Sequence, residues 1–251
     1  MRTQVIVGAL SAALAVGVLT APAVHAVRGD LAITKVVVNG GKPVVLGTGT
    51  KTVSLSVTAR TDSPIRESFL ELWHGTNGDV NATYHRTGTC TAPSAGLTTC
   101  STSFRLDPKS DVISNSLAGG GWKAYVQLEA RDGDYASGDY PAVRVQRAAS
   151  LTVNAAPEPV AKGKPVTVTG RLLLADWNAG KYRGYSGQSV KLQFRKSGSS
   201  TYTTLKTLKT NSSGDLRTTV TASADGYWRW TFAGWSTVPA VTTAGDFVDV
   251  R

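Results

Sequence analysis

The chain has 251 residues, two of them Cys, with 27 Lys and Arg against 17 Asp and Glu and a formal charge of +10. Two cysteines are too few for a cysteine-ligated metal cluster. With Glu confined to Glu67, Glu71, Glu129 and Glu158 and with abundant Thr, Val, Ser and Gly, a mainly helical fold is excluded, because strands favour β-branched and aromatic residues.

The first segment reads as an export leader. Arg2 supplies the positive start, Val5 to Leu19 is almost wholly apolar, and Ala21-Pro22-Ala23 breaks the run before Val24-His25-Ala26. Small residues at these last positions are a signal-peptidase site, so residues 1–26 are expected to be removed after Ala26. The apolar run is shorter than the ~20 residues that span a bilayer. No Cys follows the site and no second apolar stretch appears, so the mature form is expected to be secreted, extracellular and without a membrane anchor.

About 225 residues then remain, enough for one large domain or two ordinary ones. Period-two alternation marks strands at Thr52–Thr58, Phe69–Trp73 and Trp122–Ala130, then at Pro165–Gly170, Val190–Phe194 and Leu216–Val220. Turn signals separate them, among them Asn77-Gly78, Asp132-Gly133, Asn211-Ser-Ser-Gly214 and Asp225-Gly226. Short strands at such spacing predict an all-β protein built of sandwiches. The Gly-led aromatic run 121–126 is answered by 226–232, and each is followed by a short Val-rich strand. Two similar units, 27–149 and 150–251, fit that repetition better than one barrel.

Cys90 and Cys100 flank a loop with Pro93 and Gly96 near its middle and predict a structural disulfide in an oxidising compartment.

Four segments in the second unit carry a family resemblance: Lys164-Pro-Val-Thr-Val-Thr-Gly170, Gly187-Gln-Ser-Val-Lys-Leu-Gln-Phe-Arg195, Gly226-Tyr-Trp-Arg-Trp-Thr-Phe-Ala-Gly234 and Ala244-Gly-Asp-Phe-Val-Asp-Val-Arg251. Over residues 151–251 the chain resembles the tandem immunoglobulin-like domains of secreted actinobacterial proteins. The resemblance implies two immunoglobulin-like β-sandwiches behind a cleaved signal peptide, acting as adhesive, spacer or binding modules. These motifs describe packing and turns and are silent on activity.

Candidate sites are few. Asp132-Gly-Asp134 with Asp139 could supply oxygens to Ca²⁺, though Asp-Gly is also an ordinary hairpin turn. No other cofactor is expected. The loop Asp176 to Tyr185 sets Trp177, Tyr182 and Tyr185 beside Lys181 and Arg183. Two readings stand: an exposed platform that stacks on rings and holds anions, to which Trp235 would add, or aromatics folded back to plug the end of the sandwich. Trp228, Trp230 and Phe232 share a core face of their strand, with Tyr227, Arg229 and Thr231 on the solvent face. Lys191, Arg195, Lys196, Lys206 and Lys209 cluster on one hairpin, a patch able to attract polyanions.

Catalysis finds little support. Beyond the leader only His74 and His85 occur, and no Gly-x-Ser-x-Gly elbow is present. Glu67 and Glu71 share a strand face but stand ~14 Å apart, outside the ~5–10 Å of a glycosidase pair. The function expected is non-catalytic binding or adhesion, with a cell-wall polymer, polysaccharide or protein as partner and no nucleic acid. The alternative is an interaction or inhibitor-like protein using sheet edges or the Cys90–Cys100 loop, and a secreted hydrolase is the remotest reading.

Overall fold

A computed structural model describes residues 26–76, 79–94, 96–110 and 113–251. The leader expected over residues 1–26 lies outside the described residues except for Ala26, and so does the Asn77-Gly78 turn.

The first half forms β1 (Ala26–Arg28), β2 (Ala32–Val38), β3 (Val44–Leu46), β4 (Lys51–Arg60), β5 (Ile65–Thr76), β6 (Asp79–Thr87), β7 (Thr89–Ser94), β8 (Leu97–Leu106), β9 (Trp122–Ala130), β10 (Tyr135–Pro141) and β11 (Val145–Arg147). One sheet runs β1-β10-β9-β5-β6 and the other β2-β4-β8-β7, while β3 and β11 pair in parallel. Without β1, β3 and β11 this is the G-F-C-C′ against A-B-E-D order of an immunoglobulin sandwich. Alternation supplies its core. Val53, Leu55, Val57 and Ala59 of β4 are fully buried in one core with Ala124, Val126 and Leu128 of β9 and its neighbours.

Cys90 on β7 and Cys100 on β8 stand opposite each other and are bonded, with Cα atoms 3.9 Å apart. The bridge joins neighbouring strands of one sheet, whereas antibody domains bridge two sheets. It closes a loop of sequence separation 10. Replacing both residues by Ala is therefore predicted to lower the unfolding free energy by about 2–3 kcal/mol, measured by urea unfolding. An unchanged midpoint would contradict a stabilising role for the bridge.

The second half forms β12 (Ala149–Leu151), β13 (Asn154–Ala156), β14 (Pro165–Asp176), β15 (Lys181–Gly184), β16 (Ser189–Lys196), β17 (Thr203–Lys209), β18 (Asp215–Thr221), β19 (Gly226–Phe232), β20 (Val241–Thr242) and β21 (Asp246–Val248). β14 pairs with β12, β13, β15 and β18, and the facing sheet runs β17-β16-β19, with β20 and β21 both on β19. The immunoglobulin order recurs, with β12 and β13 sharing the first strand and β20 and β21 the last. The protein is thus all-β, two immunoglobulin-like sandwiches in one chain.

Strand β14 serves both cores. Its residues Val166, Val168, Leu172 and Leu174 are buried in the second sandwich. Ala175 and, just past the strand, Trp177 point the other way and are buried in the first. Successive side chains of a strand face opposite sides, so one strand held between two cores fills both. The same switch occurs at one peptide bond earlier in the chain: Ala148 packs on the first core and Ala149 on the second.

Candidate functional site

The loop Asp176 to Tyr185, read as either a platform or a plug, forms the joint between the sandwiches. Trp177 is only 1% exposed, and its indole N–H donates to the Leu46 carbonyl at 3.1 Å. That carbonyl also accepts from the Ala148 N–H at 2.8 Å. The Trp177 amide donates to Asn115 Oδ1 at 2.9 Å, and Asn115 Nδ2 donates to Asp176 Oδ1 at 2.8 Å. Across the joint the Arg147 guanidinium donates to the Ala175 carbonyl at 2.6 Å, while Gln146 donates to the carbonyls of Trp235 and Ser236. The Trp177 assignment as a ligand-binding ring is therefore corrected. The ring does act as a plug, but in the neighbouring sandwich and not its own.

The other loop residues do not converge with it. Tyr185 is half-buried edge-on against Phe232, with ring centroids 5.8 Å apart. Arg183 pairs with Asp176 at 2.8 Å. Lys181 and Tyr182 are exposed on β15. Trp235 is 61% exposed and its indole donates to Gln188 Oε1. A common platform of Trp177, Tyr182, Tyr185 and Trp235 does not exist.

Asp176 is electrostatically tuned. The Asn115 amide holds its carboxyl below the usual aspartate value, helped by the Ala179 N–H, Arg183 and Arg147 and opposed by burial. A carboxyl depressed in the folded state stabilises above its unfolded pKa and loses that contribution as pH falls through the folded one. Asp176→Asn is accordingly predicted to lower the melting temperature near neutral pH and to have little effect in acid. Equal losses at both pH values would show that the charge is not responsible.

The Asp trio does not assemble either. Asp139 lies along β10 and accepts the Trp73 indole N–H at 2.8 Å. Asp134 accepts the Asp30 amide at 2.8 Å and Asp132 accepts the Asp134 amide at 3.0 Å, so both act as loop staples. The Asp30 carboxyl is raised by its contact with Asp134 and by repulsion from Asp62, Asp134 and Asp132. Among the described residues no three His, Cys, Asp or Glu converge as metal ligands.

A different surface gathers charge. On β16 the burial pattern leaves Lys191, Gln193 and Arg195 on the outer face while Val190 and Leu192 go inward. The register sets Lys191 beside Thr231, Gln193 beside Arg229 and Arg195 beside Tyr227 on β19, and Tyr227 beside Phe247 on β21. On the other flank, Lys209 stands opposite Ser189 and Thr207 opposite Lys191.

Rings and guanidiniums alternate across these strands. Phe247 packs on Tyr227 at 5.1 Å, Arg195 lies over Tyr227 at 4.0 Å and over Tyr202 at 5.3 Å, and Arg229 lies over Tyr202 at 3.6 Å. Gly245 permits the stack, because a Cβ there would collide with the Tyr202 hydroxyl. Lys206 is not part of this face. It stands opposite inward-facing Leu192, on the other parity from Lys209, and reaches toward β18, where its ammonium donates to Thr218 Oγ1 and to the Thr219 carbonyl at 2.8 Å.

The face is unneutralised. Arg66, Arg171, Arg183 and Arg251 each pair with a carboxylate, but among the described residues Lys191, Lys209, Arg195 and Arg229 do not. Lys191 and Arg195 belong to the hairpin cluster read from the sequence. Arg229, Tyr202, Tyr227 and Phe247 were missed as members, since joining them requires the register of three strands. The alternation that puts Tyr227 and Arg229 on a solvent face was the available signal.

No family model and no curated protein matches the chain. Solved structures similar to it include dimeric latent PorU from Porphyromonas gingivalis (14% identity, 88% of this chain and 20% of that one, TM-score 0.30). Others are the D0-D1 domain of intimin (16%, 86% and 98%, TM-score 0.30) and Salmonella alpha-2-macroglobulin reacted with methylamine (16%, 92% and 16%, TM-score 0.33). The chain spans about a fifth of the PorU chain it matches. Likenesses at this TM-score carry no argument about activity.

Proposed function

We propose that the chain is a secreted, non-catalytic binding module that holds an anionic polymer on the outer face of β17-β16-β19. The observation that carries this reading is the unneutralised set Lys191, Lys209, Arg195 and Arg229 on one sheet face. Like charges gathered without counter-charges repel one another, and an anion that spans them relieves that repulsion while the local potential steers its approach. The Cys90–Cys100 bond agrees with an oxidising compartment.

The test is retention of the purified chain on dextran sulfate compared with neutral dextran. Binding is expected on the sulfated polymer alone and should weaken with added salt, which screens exposed charges. The double substitution Lys191→Glu with Lys209→Glu is expected to reduce affinity at least about tenfold without shifting the urea midpoint. Absence of retention at low salt, or retention indifferent to charge reversal, would overturn the proposal.

A further inference from the structure

Resting on that reading, we infer that the face is built for a polysaccharide carrying carboxylates on its sugar rings, such as a polyuronate, and not for a polyphosphate. Two observations carry this beyond net charge. The first is the kind of cation at the centre. Arg195 and Arg229, not lysines, occupy the middle of the face, and each lies over a tyrosine ring. Arg195 donates to the Ser199 carbonyl at 2.6 Å and Arg229 Nε to Gln193 Oε1 at 2.8 Å. A guanidinium has five N–H donors, so one hydrogen bond leaves others of each without a protein acceptor among the described residues. Stacking on a ring and one hydrogen bond fix its plane, which favours an acceptor that offers two oxygens to the fork, carboxylate and phosphate alike, so the choice between them falls to the ring beside it.

The second observation is apolar. Phe247 is 39% exposed at the end of the stack, beside Tyr227 and next to no charged partner. An exposed ring offers nothing to a phosphate chain. It does offer a flat π face to the C–H face of a pyranose. Phe247 on β21 and Arg195 on β16 stand two strands apart with Tyr227 between them, about 10 Å, a span that suits the sugar ring of one residue and the carboxylate of another along the same polymer. Lys191 and Lys209 at the flank then add attraction that does not depend on the shape of the anion.

The experiment compares polygalacturonate with long-chain polyphosphate by calorimetry on the full chain, at equal concentration of charge. Binding of polygalacturonate is expected to be at least about tenfold tighter. Phe247→Ala is expected to abolish that margin while leaving polyphosphate affinity unchanged, and Phe247→Leu, which keeps apolar volume without a ring, should behave alike. Equal affinity for the two polymers, or a preference untouched by the Phe247 variants, would overturn this inference and leave anion binding standing. Failure to bind either polymer or dextran sulfate would remove both.

Discussion

Replacing Trp177 by Ala is expected to cost about 3–5 kcal/mol, and the loss should fall on the first sandwich although Trp177 follows a strand of the second. The indole is among the largest fully buried side chains and sits with Leu46 and Val145 in the first core. Truncation removes its transfer free energy and leaves a cavity that packed neighbours cannot wholly collapse. The Leu46 carbonyl keeps the Ala148 N–H, so the hydrogen bond is the smaller part of the effect. Trp177→Phe, which keeps most of the volume, should lose much less. Calorimetry is the deciding measurement. The wild-type chain should unfold with its two sandwiches coupled, and Trp177→Ala should separate an earlier transition for the first. A loss below about 1 kcal/mol, or one confined to the second sandwich, would mean that the joint does not contribute as described.

This joint also shows where sequence stops being legible. In β14 the alternation of Val166, Val168, Leu172 and Leu174 marks one buried face, and that face is the core. Ala175 and Trp177 continue on the opposite parity, where a solvent face is expected. Their burial depends on a second sandwich standing there, which is a fact about packing between distant segments. The sequence therefore offers a plug for the loop's own sandwich, and not the neighbouring core that Trp177 fills. The cationic face is the converse case. Each strand announces its outer residues, Arg195 on β16 and Tyr227 with Arg229 on β19, because alternation is local. That Arg195 meets Tyr227, and that Tyr202 and Phe247 complete the stack, follows from register, which is set by turn geometry and by which residues must face the core. Lys206 illustrates the limit. It shares a hairpin with Lys191 and Lys209, yet it stands opposite inward-facing Leu192 and so falls on the other face. The disulfide was readable because Cys90 and Cys100 have no other partners to choose. The Asp132-Gly133 turn was readable as a hairpin signal, and Asp139 and Asp134, at different heights of β10 and its turn, each find a donor of their own.

Trp230 should be the most costly position in the second sandwich. It is fully buried on β19, and its indole donates to the Thr169 carbonyl at 3.0 Å. The ring occupies the space that a side chain at Gly170 would need: a Cβ there would lie 2.7 Å from the indole and 2.6 Å from the Thr152 carbonyl. Trp230→Ala is expected to cost about 3–5 kcal/mol, and Gly170→Ala about 1–3 kcal/mol through overpacking. The two substitutions compete for one volume, so the double variant should cost less than their sum. Urea unfolding of the four proteins gives that coupling directly, and strict additivity would refute the shared space. Arg229 and Thr231 flank Trp230 on the outer face of the same strand. Loss of the indole therefore loosens the strand that carries Arg229 without removing a charge. Under conditions where Trp230→Ala remains folded, its affinity for an anionic polymer should fall less than that of Arg229→Ala. The reverse order would mean that the face binds through the position of β19 more than through its cations.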